Sequence, residues 1–302
     1  MADLLNLVPW WVFSLIFALL WPIHNEANRH FKVDGSALLA TKAFFTLLFV
    51  LPFTFFVPWP THPAFYACVI ISGFLFGYQE AESFKLAKNY GGLFLSLQSV
   101  IWMATAITLW WLIDPTYFFV ILHNPISGSL VIAGLALGIA AQFFLRSTAL
   151  PDYKSALNKT LIIAVMGGCG VTSLKYGMEN TDNILSAFVW TFLLNIVLCL
   201  SGFSRLFFEN KKETVRLVFN RQAIKAGIIL GLVVAVAGPV VTFAFALTPN
   251  PGFSSIVTQS SVLWLYLFCR FTGHPTNVKT PGLTMTVLGA IILITGTEIL
   301  RH

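Results

Sequence analysis

Ten apolar stretches, each close to the roughly 20 residues a helix needs to cross a bilayer, decide what this chain can fold into. They run from about Leu7 to Asn25, Ser36 to Val57, Phe65 to Leu86, Leu93 to Ile113, Leu130 to Leu145, Ala156 to Met178, Ile184 to Phe208, Ala223 to Leu247, Phe253 to Phe271 and Leu283 to Leu300. Inside hydrocarbon, every backbone N–H and C=O must find a partner within the chain, and a helix supplies it locally. Only 10% of the 302 residues are charged and 57% are hydrophobic, too few charges to clothe a soluble globule of this length. The expectation is an all-α, polytopic membrane protein of ten transmembrane helices. Because the connections are mostly short, sequential helices should pack as antiparallel neighbours. The first stretch follows Asp3, without a basic segment before it or a convincing small-residue cleavage site after it, so it reads as a retained first helix.

Several function classes drop out at this point. The net charge of +6 would suggest nucleic acid in a soluble chain, but loop lysines and arginines here more simply set orientation and touch anionic lipid. Cys68, Cys169, Cys199 and Cys269 all sit in apolar stretches without metal-site or redox spacing, and they read as small hydrophobes. No phosphate-binding Gly-Lys-Ser/Thr loop, nucleophile elbow or His-Glu-x-x-His pair occurs. Neither ATP-driven work nor an enzyme reading has a centre, and no cofactor or metal is expected.

The two halves share ordered matches. Shifted by 150 residues, Ser36-Ala37 falls on Ser186-Ala187 and Thr41 on Thr191; shifted by 161, Gly77 falls on Gly238, Gly91 on Gly252 and Gln98-Ser99 on Gln259-Ser260. Gly128 and Gly282 continue the series at a shift of 154. Five helices per half is an odd number, so residues 151–302 enter the membrane upside down relative to residues 1–150, as an inverted repeat. Of the eighteen basic residues, fifteen lie in or beside the odd-numbered connections. The positive-inside rule then puts those connections in the cytoplasm and both termini on the outer face. The long connection Glu209–Arg221 reads as a lipid-touching surface loop with a short amphipathic segment.

Polar chemistry concentrates in the stretch Gly77-Tyr78-Gln79-Glu80-Ala81-Glu82 at the end of the third apolar run. An ionisable group at membrane depth is costly and usually functional. Glu80 and Glu82 are about 200° apart on a helix and cannot share a face. One should face the bundle, and the other a neighbouring helix or the basic loop near Lys85. The inward acid is read either as a proton carrier or substrate ligand or as half of a structural ion pair. Lys42, deep in the second span, needs a partner, and Glu80, Glu82 or a substrate carboxylate are the candidates. At the end of the first span, His24, Asn25 and Glu26 follow Pro22, which can break the helix and expose backbone dipoles; they read either as a polar helix end or as the cytoplasmic mouth of a pathway. Gln98 and Gln259 serve as interhelical hydrogen-bonding groups or as pocket walls, and Trp102 shares the face of Gln98.

Residues Ser36-Ala37-Leu38-Leu39-Ala40-Thr41-Lys42, Tyr90-Gly91-Gly92-Leu93-Phe94-Leu95-Ser96-Leu97-Gln98 and the glycine-rich Val287–Gly296 resemble the drug/metabolite transporter superfamily, in particular its EamA-like members. The resemblance covers nearly the whole chain and is one of architecture. It implies a secondary transporter with alternating access and a central cavity lined by both halves. The family often has Gly-Glu before its fifth and tenth helices; here Leu122-His123-Asn124-Pro125 and Gly273-His274-Pro275 stand there, so no role for that acid carries over. The family's cytoplasmic termini also conflict with the basic-residue count above.

Together these features lead us to expect a proton-coupled transporter of a small polar or zwitterionic metabolite such as an amino acid, in a bacterial inner membrane. Its partners would be the substrate, protons and lipid, with homodimer formation left open. Glu80, Glu82, Lys42, Gln98, Trp102, Gln259, Asn25, Glu26, His24 and Tyr78 are the candidate site residues. The alternatives are a lipid or lipid-linked-sugar translocator and, from another class, a membrane scaffold or membrane-embedded enzyme.

Overall fold

The computed structural model describes residues 5, 7–90, 99–145, 153–209, 213–271 and 280–301. Among the described residues there is no strand, and thirteen helices follow in order. They are α1 (Trp10–Phe31), α2 (Gly35–Thr54), α3 (Pro63–Tyr90), α4 (Ser99–Ile113), α5 (Thr116–His123), α6 (Pro125–Leu145), α7 (Tyr153–Glu179), α8 (Ser186–Glu209), α9 (Thr214–Val218), α10 (Arg221–Leu247), α11 (Pro251–Thr258), α12 (Ser261–Phe271) and α13 (Thr280–Arg301).

Local chemistry sets several boundaries. The Asp34 carboxylate accepts from the backbone N–H groups of Ser36 and Ala37 and starts α2. Asn220 does the same for α10, and Asn250, with Pro251 in the first turn, for α11. Lys32 takes a left-handed conformation (φ 54°) to end α1, and the Asn28 amide closes that turn through both Val33 backbone groups while also donating to the Phe84 carbonyl at 2.8 Å. The turn is thereby tied to α3.

Among the described residues six helices are long and apolar enough to cross a membrane: α2, α3, α7, α8, α10 and α13. The pair α4 and α5, bent by 98° at Asp114-Pro115, makes a seventh if counted as one span. The protein is an all-α polytopic membrane protein. Three features depart from the sequence expectations. Helix α1 runs unbroken through Pro22, because its neighbours hold a proline helix that propensity alone would bend. Residues 116–123, expected as plain connection, form α5. The ninth apolar stretch is two helices, α11 and α12, meeting at Gln259-Ser260.

Helices approach closely where side chains are small, as lipid-embedded packing requires. A Cβ added to Gly289 of α13 would lie 2.9 Å from the Gly138 nitrogen of α6, and one on Gly202 of α8 would lie 2.8 Å from the Ala40 nitrogen of α2. Helix α2 is buried between α8 and α10, α3 packs on α7 and α8, and α1 on α10.

Candidate functional site

Several interior polar side chains, among them Lys42, His24, Gln79 and Asn195, line a cavity of about 180 Å³ bounded by α1, α2, α3, α4, α7, α8, α10, α11 and α12. Lys42 is placed there because α2 is buried along most of its length, which leaves a long side chain no route to the surface. The lysine is 0% exposed, and its ammonium pairs with the Glu80 carboxylate of α3, within 5.9 Å of the Phe84 ring centroid. An ammonium at this depth demands such company.

An aromatic ladder lines the same end. Phe17 lies 4.8 Å from Trp21, Trp21 stacks on His24 at 4.1 Å and 9°, and His24 tilts over Phe84 at 5.0 Å. Thus the Phe84 ring has His24 and Lys42 as neighbours. His24 is 3% exposed, with Asn25 as its polar neighbour, and neither ring nitrogen completes a hydrogen bond. Trp21, Asn25, Thr258 and Gln259 are half-buried, whereas Leu174, Thr191, Thr242 and Phe245 form a buried floor.

Past that floor lies a second buried cation. The Lys175 ammonium meets Glu179 at 2.8 Å and the Ala246 carbonyl at 3.2 Å, 5.0 Å from the Trp110 ring centroid. It joins α7, α10 and α4 near the C-terminal ends of all three helices. Rings of Phe13, Phe243, Phe188 and Phe53 run nearby at successive centroid distances of 5.4, 6.0 and 5.6 Å.

The structure sorts the candidate residues into two groups. Glu80, Lys42, His24, Asn25, Trp102 and Gln259 line the cavity. Trp102 does so between Phe76, 6.1 Å away, and the glycines of α7, with Gly167 leaving room for its ring. Glu82, Tyr78 and Glu26 are not among the lining residues. Glu82 turns to α8 and pairs with Arg205; Lys85 bridges Glu82 at 3.3 Å and Glu209 at 3.2 Å. The Arg205 guanidinium also lies 5.0 Å from the Tyr78 ring centroid, so both residues belong to an ion cluster at the helix ends. Glu26 sits 3.7 Å from Arg29. Gln98 lies outside the described residues, so its expected shared face with Trp102 does too.

Polar wall residues absent from the sequence candidates include Asn195, Gln79 and Ser83. Asn195 of α8 is 1% exposed and lines the cavity near its floor. Its signal was there to be read, a lone amide inside the apolar run Phe192-Leu193-Leu194-Asn195-Ile196-Val197-Leu198. Gln79 and Ser83, joined at 3.2 Å, are two further polar wall residues from α3.

No family model matches the chain, and no curated protein does either. A solved structure described only as "Crystal structure of protein" superposes with a TM-score of 0.65 at 15% identity, covering 97% of this chain and 99% of that one. At this identity the likeness is one of fold.

Proposed function

We propose that the protein is a proton-coupled secondary transporter of a small zwitterionic metabolite, an amino-acid-like compound, with the drug/metabolite superfamily as its family. The observation that carries the reading is the Lys42–Glu80 pair on the wall of an internal cavity. A zwitterion can replace each partner of such a pair, its carboxylate taking Lys42 and its ammonium Glu80. A proton and the substrate ammonium compete for the Glu80 carboxylate, so that the acid is never left bare in the membrane. The cavity volume, on the order of a dozen water positions, suits a small metabolite better than a lipid.

Ten spans in two inverted five-helix halves complete the proposal. Helix packing supports this arrangement. Exchanging α1 with α7, α2 with α8, α3 with α10, α4 with the α11–α12 pair and α6 with α13 turns each main contact into another one. Thus α1 on α10 becomes α7 on α3, α2 on α10 becomes α8 on α3, and α4 on α7 becomes α12 on α1, while α2 on α8 and α6 on α13 map onto themselves. The α11–α12 junction, bearing Gln259, puts an interrupted helix at the cavity, where transporters of this architecture place substrate. Odd-numbered connections would face the cytoplasm of a bacterial inner membrane.

The test is uptake into proteoliposomes under an imposed pH gradient, with an amino-acid panel. Wild type accumulates a substrate against its gradient in exchange for protons. Glu80→Gln loses accumulation but retains exchange of labelled for unlabelled substrate. Accumulation by Glu80→Gln that equals wild type would remove the coupling role.

A further inference from the structure

The Asn195 amide uses one half of its hydrogen-bonding capacity and leaves the other half without a partner, on a residue that lines the cavity. Its Nδ2 donates to the Thr191 carbonyl at 2.8 Å, one turn back on α8. Its Oδ1 is buried and has no partner. Reversing the amide would set two acceptors, Oδ1 and the Thr191 carbonyl, against each other, so the Nδ2 anchor decides that the oxygen is presented. An amide oxygen only accepts. The two hydroxyls on the same part of the wall are already committed, Thr191 to the Ala187 carbonyl and Thr242 to the Gly238 carbonyl, each at 2.8 Å. Most buried acceptors are satisfied, because an orphan forfeits its hydration. An orphan at 1% exposure on a cavity wall therefore points to a partner that arrives from outside.

We infer that Asn195 Oδ1 accepts a hydrogen bond from the bound molecule, so the substrate carries a donor, a hydroxyl or N–H, apart from the charged groups that Lys42 and Glu80 meet. This rests on the zwitterion reading of the cavity and narrows it from small zwitterions in general to hydroxylated or amide-bearing ones. A wall group built to accept a bond discriminates against the analogue that lacks the donor, here by roughly ten- to a hundredfold in affinity.

The test uses thermal stabilisation of the purified full chain by two pairs that differ by a hydroxyl, L-serine with L-alanine and the isosteric L-threonine with L-valine. Wild type responds to the hydroxylated member of a pair at a concentration about tenfold or more below its partner. Asn195→Leu keeps the branched heavy-atom skeleton, removes the acceptor and erases that preference. Without ligand, the variant melts at or above wild type, because an unsatisfied buried group has been replaced by an apolar one. A preference that survives in Asn195→Leu, or a ligand-free variant that melts well below wild type, overturns the inference and leaves the zwitterion reading standing. If none of the four compounds stabilises wild type, the zwitterion reading falls and this inference falls with it.

Discussion

The ammonium of Lys42 and the carboxylate of Glu80 neutralise each other on the cavity wall, the lysine fully buried and its partner 14% exposed. The two residues come from adjacent antiparallel helices and lie 38 positions apart in sequence. Their value to the protein lies less in net stability than in what breaking the pair does. Removing one member strands the other charge, whereas replacing both with apolar groups can be nearly neutral.

That asymmetry predicts a double-mutant cycle. Lys42→Met alone lowers thermal stability by the equivalent of about 3 kcal/mol or more while Glu80 stays ionised, and Glu80→Gln alone strands the ammonium at similar cost. The double variant recovers a large part of either loss. Melting curves of the three variants and wild type give the coupling directly, and simple additivity would show that the pair is not an interacting unit.

The Glu82 cluster should behave differently. Arg205 and Glu82 are 19% and 18% exposed at helix ends, and Glu82 retains Lys85 if the arginine is lost. Arg205→Gln therefore costs no more than about 1 kcal/mol in melting experiments, the range of partly exposed ion pairs. Uptake rates stay near wild type. A collapse of uptake in Arg205→Gln would move Glu82 into the transport machinery.

Lys175 offers a third test. Its ammonium ties the Ala246 carbonyl at the end of α10 to α7, under the buried floor of the cavity. Lys175→Met cuts that tie, and Glu179, 42% exposed, rehydrates without penalty. In a background without native cysteines, a cysteine at Thr242 then reacts faster with a membrane-impermeant thiol reagent added from the side where α10 ends. Equal labelling rates with and without Lys175 would mean that the clasp does not hold the floor.

Much of the fold was legible along the chain because a membrane leaves few choices. Apolar length announces a span, and backbone hydrogen bonding in hydrocarbon makes that span a helix. The same periodicity separated Glu80 from Glu82, since residues two apart cannot share a helical face. Breaks within apolar runs were harder to see. The Gln259-Ser260 junction does not interrupt hydrophobicity enough to stand out, and although the break at Asp114-Pro115 was legible, the helix α5 that follows it was not.

The sequence by itself determined the class of the protein, the positions of most of its apolar helices and the presence of charge at membrane depth. Only the tertiary structure decided which charges meet. The Lys42–Glu80 pair, the turn of Glu82 toward Arg205 and the orphaned oxygen of Asn195 depend on how helices from both ends of the chain are rotated against one another. Helix formation is a local event, closed four residues at a time. The rotation is set by close contacts such as Gly202 on Ala40 and Gly289 on Gly138, between residues more than a hundred positions apart.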